Sequence, residues 1–213
     1  MVNVSIVDFG LSNLNSVISA CEQVGMKVTI VSNPKQILNS DALILPGVGA
    51  FGNAMKNLKK NGTDKSIIEF YKKGKQIFGI CLGMQLLFDE SVENGKFKGL
   101  GIIKGKVRKF DKKYDIVPNI GWNKISVMKK NITKNEKSTL NISNNQFFYF
   151  VHSYYCEPND KKNSSSNSNF GKFTFCSSIL HKNIEAYQFH PEKSGKNGLK
   201  IYNNIKKKIK KND

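Results

Sequence analysis

Apolar residues in the first 45 positions of the chain follow two alternating rhythms. Short apolar-rich runs at 2–8, 27–32 and 42–45 read as strands. Between the first two, Leu14, Val17, Ile18, Cys21 and Val24 recur at helical spacing, with Ser12 or Asn13 placed to cap the start and Gly25 the end. A short helix over 34–38 completes a β-α-β-α-β opening, which predicts a parallel sheet with helices on its faces. Ligands of such folds collect at the carboxyl ends of the strands, an edge that should carry Asp8, Pro46 and Cys81 together.

Further along, a helix around 67–71 precedes an uncharged apolar strand after Lys75 and a second helix marked by Leu82, Leu86 and Leu87, expected to end near Asp89, Glu90 and Ser91. Beyond Gly99 the texture changes to short strands at 100–103, 106–110, 122–128, 147–155, 173–180 and 184–189. Two stretches rich in Asn, Lys and Ser, 129–145 and 159–169, read as surface loops or a hairpin edge. Near the end, Leu199, Ile201, Tyr202, Ile205 and Ile209 among lysines form one face of an amphipathic helix that should pack on the sheet. No internal repeat is visible.

Composition narrows the class. A chain of 213 residues, 39% hydrophobic with 14 Phe, can bury one sizeable core. No run approaches the roughly 18 apolar residues of a membrane span, and the start opens directly into a strand without a basic leader, so a soluble cytoplasmic protein is expected. Cysteines at 21, 81, 156 and 176 show no C-x-x-C pairing and fit a reducing compartment. The net charge of +18 comes from lysines spread along the chain, Arg108 being the single arginine. Nucleic-acid readers favour arginine and interleaved aromatics, which are not clustered here. The charge therefore reads as compositional bias, leaving attraction for an anionic substrate or an acidic partner face.

Candidate chemistry centres on Gly79-Ile80-Cys81-Leu82-Gly83, a cysteine at a strand-to-helix turn. Flanking glycines remove the side chains that would crowd so sharp a bend, the logic of a nucleophile elbow with Cys81 in place of serine. A helix N-terminus also favours thiolate over thiol. Upstream, residues 47–52 contain a literal G-x-G-x-x-G, but it lies in the third unit and Cys81 stands where the next strand should end in an acid. Asn53-Ala54 likewise replaces the Lys-Ser/Thr of a phosphate-binding loop, so nucleotide binding is disfavoured. Those glycines instead offer backbone N–H groups to an oxyanion beside Cys81.

Only three histidines exist. His190 and Glu192, two apart in an extended segment, should project to one side and supply the base and orienting carboxylate that a cysteine nucleophile needs. His152, in an aromatic strand, reads as structural or backbone-lining, and His181 as part of a turn. A metal site at Cys81, His190 and Glu192 lacks further ligands, so no metal or cofactor is expected.

Gly79-Ile80-Cys81-Leu82-Gly83-Met84-Gln85 together with Phe189-His190-Pro191-Glu192-Lys193 resembles the class I, or triad, glutamine amidotransferases. Matches at Asp8-Phe9-Gly10-Leu11-Ser12-Asn13, Pro46-Gly47-Val48-Gly49-Ala50-Phe51, Pro118-Asn119-Ile120-Gly121-Trp122-Asn123 and Tyr149-Phe150-Val151-His152-Ser153-Tyr154 extend over nearly the whole chain. They are similar to the glutaminase subunits of imidazole glycerol phosphate synthase. This resemblance implies one amidotransferase domain over 1–213, with a largely parallel central sheet flanked by helices and additional antiparallel strands in the C-terminal half.

It also implies roles. Cys81 would attack L-glutamine, His190 would carry the proton and Glu192 would orient His190. Leu82 N–H, with one from Val48 or Gly49, would form the oxyanion hole. Gln85, Glu93, Ser153 and Tyr154 would hold the substrate, and Asn13, Trp122 and Lys193 would face a separate (β/α)8-barrel cyclase as heterodimer partner. The partner would take the ammonia to make imidazole glycerol phosphate and an aminoimidazole carboxamide ribotide in histidine biosynthesis. Asn119, where the family usually has His, and Ala186, where it usually has Gly, keep open a related subunit that feeds ammonia to a sugar-aminating partner in surface-polysaccharide synthesis. A stand-alone γ-glutamyl cysteine hydrolase is a third reading, against which the interface-like Trp122 counts.

Overall fold

The computed structural model describes residues 2–10, 14–128 and 143–211. In chain order the first half runs β1 Val2–Val7, α1 Asn15–Gln23, β2 Met26–Val31, α2 Pro34–Leu38, β3 Ala42–Leu45, α3 Phe51–Lys60, α4 Thr63–Lys72, β4 Gln76–Ile80 and α5 Leu82–Leu86. The second half is β5 Phe88–Ser91, β6 Phe97–Lys98, β7 Ile103–Lys109, β8 Asn119–Val127, β9 Phe147–His152, β10 Tyr154–Pro158, β11 Ser164–Phe170, β12 Phe173–His181, β13 Ile184–Tyr187 and α6 Gly195–Lys211. The opening matches the expected alternation, with Gly25 in the left-handed region just past α1. The expected cap at Ser12 or Asn13 lies outside the described residues.

Strands β2, β1, β3, β4 and β13 pair in parallel in that order, and β12, β10 and β7 continue the sheet antiparallel. Two apolar layers cover it. One face packs Phe51, Met55, Leu58, Ile67 and Phe70 from α3 and α4. The other packs Val17 and Cys21 of α1 with Ile201, Tyr202 and Ile205 of α6, continuous with an aromatic group around Phe148, Phe150 and Phe189. The amphipathic final helix thus covers the sheet, its lysine-rich face outward and its apolar stripe buried. No helix among the described residues is long and apolar enough to cross a membrane.

Three expectations fail for physical reasons. The helix begun at Leu82 ends at Leu86, not near Ser91, because Phe88–Ser91 pairs with β7 and β6. Asp89 is held there by Lys104 Nζ at 2.9 Å and the Gly105 N–H at 3.0 Å. Residues 100–102 are not a strand: Leu100 N–H donates to Leu86 O and Ile102 N–H to Leu87 O, turning the chain back before β7 starts at Ile103. Polar residues 159–169, expected as a surface loop or a hairpin edge, do form a hairpin with β12, but as an internal strand rather than an edge or a loop. β11 is inserted between β12 and β8, and its buried serines bond across strands, Ser165 to Ser178 at 2.7 Å and Ser166 to Ser177 at 2.7 Å. Paired hydroxyls let a serine run lie inside a sheet. The other polar stretch falls mostly outside the described residues.

Candidate active site

The site is built where two strands distant in sequence end side by side. β4 and β13 run parallel with Gly79 opposite Ala186 and Ile80 opposite Tyr187, and the Cys81 N–H donates to Tyr187 O at 2.7 Å. Cys81 then turns the chain with φ 50° and ψ −107°, a costly conformation for a residue with a Cβ, and α5 begins at once. The flanking glycines are there for space. A Cβ on Gly83 would lie 1.8 Å from Leu45 O, and one on Gly79 would lie 2.9 Å from Met84 N. Helix α5 therefore sits directly on β3 and β4, holding the sulfur at the carboxyl edge of the sheet.

Past β13 the chain runs through Gln188 and Phe189 to His190. Phe189 is fully buried and stacks on Phe148 with ring centroids 4.3 Å apart. The His190 N–H donates to Tyr149 O at 2.9 Å, so β9 fixes the backbone that presents the ring. Residues Pro191–Lys193 form a 3-10 turn, not the extended segment expected, yet the pair still meets: Nδ1 of His190 lies 2.7 Å from Oε1 of Glu192. Helix α6 presses on this turn, since a Cβ on Gly198 would stand 1.7 Å from Pro191 O. His190 Nε2 is buried with no hydrogen-bond partner. Burial pulls the His190 pKa down, but the charge of the nearby Cys81, then the bonded Glu192, outweigh it and lift the ring to about 10. Cys81, His190 and Glu192 thus form one buried electrostatic unit.

A cleft of about 290 Å³ opens beside the sulfur, lined by Val48, Gly49, Cys81, Leu82, Gln85, Glu93, Pro118 and residues 151–154. Glu93 accepts the Phe51 N–H at 2.7 Å. Gln85 donates from Nε2 to Tyr154 O at 3.1 Å and to Oε1 of Gln188 at 3.2 Å. Gln188 in turn points its Nε2 at the Cys81 sulfur, 3.6 Å away. Sequence reasoning gave Gln188 no role, although period-two alternation with His190 places both on one side. The Leu82 N–H, expected in the oxyanion hole, is bonded to Gly47 O at 3.3 Å. No group of three or more His, Cys, Asp or Glu suited to a metal occurs among the described residues.

The glutamine amidotransferase class-I family model matches residues 5–208. The chain belongs to that family. Amidotransferase relatives named imidazole glycerol phosphate synthase subunit HisH include one from Chlorobaculum tepidum, 41% identical over 202 residues that cover 95% of this chain and 98% of that one. Another, from Aquifex aeolicus, is 44% identical over 208 residues, 97% of each. A chloroplastic imidazole glycerol phosphate synthase hisHF of Arabidopsis thaliana is 43% identical over 93% of this chain, which spans only 33% of that protein. Among solved structures, PurLQS from Thermotoga maritima superposes with a TM-score of 0.74 at 18% identity, covering 98% of this chain and 99% of that one, a likeness of fold.

Of the residues expected at a partner face, Trp122 is 53% exposed but lies on β8 rather than in a turn, edge-to-face with Tyr149 at 6.1 Å. Lys193 Nζ lies 6.0 Å from the centre of the same Tyr149 ring. Ile120 and Phe147 are exposed beside them. Asn13 lies outside the described residues. His181 ends β12 instead of sitting in a turn, bonded to Tyr71 and Asn163.

Proposed function

We propose that this chain hydrolyses L-glutamine to glutamate and ammonia, and delivers the ammonia to a separate (β/α)8-barrel cyclase that makes imidazole glycerol phosphate in histidine biosynthesis. The observation that carries the reading is the buried Glu192–His190–Cys81 unit at the elbow, in a chain aligned almost end to end with relatives named as that synthase's subunit. One amidotransferase domain over 1–213 accounts for both.

The Cys81 sulfur attacks the side-chain carboxamide carbon, and the proton held by His190 passes to the departing nitrogen, leaving a glutamyl thioester and ammonia. Water, its proton taken by His190, then adds to the thioester and releases glutamate and the sulfur. Glu192 keeps the ring oriented and balances its charge. Gln85, Glu93, Ser153 and Tyr154 are assigned to the substrate side, Leu82 with Val48 or Gly49 to the oxyanion. Since the Leu82 amide is bonded to Gly47 O, that donor must be released before it can meet the oxyanion. Docking of the cyclase next to Val48, which is exposed, supplies a cause for the release. Ile120, Trp122, Phe147 and Lys193 are assigned to the partner.

Glutamine turnover measured with and without the barrel subunit and its ligand tests the reading, which expects slow hydrolysis alone and strong stimulation in the complex. Cys81→Ala should abolish hydrolysis, leaving assembly and ammonia-dependent synthesis intact. Turnover that survives the substitution removes Cys81 from its role, and full activity without a partner removes the subunit assignment.

A further inference from the structure

The side-chain amides around the sulfur form one network in which two branches of donors converge on Tyr154 O. Asn123 Nδ2 donates to Asn119 Oδ1 at 2.9 Å, and Asn119 Nδ2 lies 3.0 Å from His152 Nε2. An asparagine NH2 can only donate, so Nε2 accepts and the His152 proton resides on Nδ1. That nitrogen lies 2.7 Å from Tyr154 O, which also receives Gln85 Nε2. Gln85 Nε2 then reaches Gln188 Oε1, and this contact decides which way Gln188 faces. Flipping the Gln188 carboxamide would set NH2 against NH2 at Gln85 and aim a carbonyl oxygen at the sulfur. The observed orientation aims a donor there instead. Gln188 is fully buried and Gln85 nearly so, so water does not compete for either amide.

We propose that Gln188 is a positioning residue for Cys81: its carboxamide holds the nucleophilic sulfur, and its orientation is set by Gln85, whose Nε2 is anchored on the Tyr154 carbonyl. The inference rests on the reading of Cys81 as the nucleophile. A donor at the sulfur stabilises it as an anion and directs it across the cleft, while touching neither the imidazole nor the leaving group. Its loss lowers the rate of attack without weakening glutamine binding.

The test combines Gln188→Met, which keeps the length and removes the donor, with Gln188→Glu, which puts an acceptor in its place. Two quantities are read: kcat and KM for glutamine in the complex with the barrel subunit, and the rate at which iodoacetamide alkylates Cys81 in the free full-length chain at neutral pH, followed by peptide mass. The expectation for Gln188→Met is a kcat lower by about tenfold with KM within about twofold, and alkylation slowed to a similar degree. Gln188→Glu should be slower in both. Rates within about twofold of the unaltered chain, or a raised KM with unchanged alkylation, would reduce Gln188 to a packing residue and overturn the proposal. Should neither variant fold, the Gln188 side-chain amide resonance of the unaltered protein decides. It must be protected from solvent exchange and must shift in Cys81→Ala, and an unprotected or unmoved resonance is equally fatal. Alkylation needs no substrate, so a chain with a donor-dependent sulfur but no glutaminase activity would sink the proposed function and leave this inference standing.

Discussion

His152 and His190 are both buried, yet their neighbours drive them in opposite directions. For His190 the charge of Cys81 and Glu192 wins over burial. For His152 nothing anionic compensates, and burial above all lowers its pKa to about 4. A histidine depressed in the folded chain stabilises it above the unfolded value of 6.5, and that contribution is lost as the pH falls toward 4. We expect stability to drop over this window by about 3 kcal/mol through His152 alone. Denaturant titrations at several pH values check it: His152→Gln should flatten the acid limb, and an unchanged slope would contradict the burial argument. At this scale the meeting of Cys81, His190 and Glu192 was legible because each sits in a short contiguous pattern, Gly-x-Cys-x-Gly or His-Pro-Glu. The Asn119–His152 contact was not, because it depends on those residues being register partners across β8 and β9.

Elements were read well where periodicity was strong and misread where partners overrode it. α2 and β3 fall where the apolar spacing put them, and α2 begins at Asn33, whose side chain accepts the Gln36 N–H. The helix after Cys81 was overextended because Leu82, Leu86 and Leu87 continue a helical stripe, while the signal for β5 lies in β7, many residues away. The serines of β11 carry no strand signature of their own, since their hydroxyls become compatible with burial only once β12 stands opposite. Helix α5 also sets the tolerance of the elbow. Gly83→Ala forces a Cβ against the Leu45 carbonyl, which no rotamer relieves. A loss of about 1–3 kcal/mol in unfolding free energy is expected, of the size seen for overpacked cores. Wild-type stability in that variant would mean that α5 can lift from β3.

Across the whole molecule, the β-α-β opening made the parallel half of the sheet predictable, and the position of β13 against β4 explains why His190, 109 residues downstream of Cys81, arrives beside it. The antiparallel half was recognisable as strands but not as an order, because short strands of similar composition do not name their neighbours. Its outer branch carries Trp122, more than half exposed on β8, between β11 and β9. Under the proposed function, Trp122→Ala should leave the melting temperature unchanged and weaken the complex with the barrel subunit by about 2 kcal/mol, roughly 30-fold in Kd, measurable by calorimetry. Unaltered affinity would move the interface elsewhere. Helix α6 has a different significance. Because it bears on the Pro191 turn from outside, it braces the segment that carries His190 and Glu192. Under the proposed function, a side chain added at Gly198 would push on the Pro191 carbonyl and so disturb the imidazole without touching the cleft.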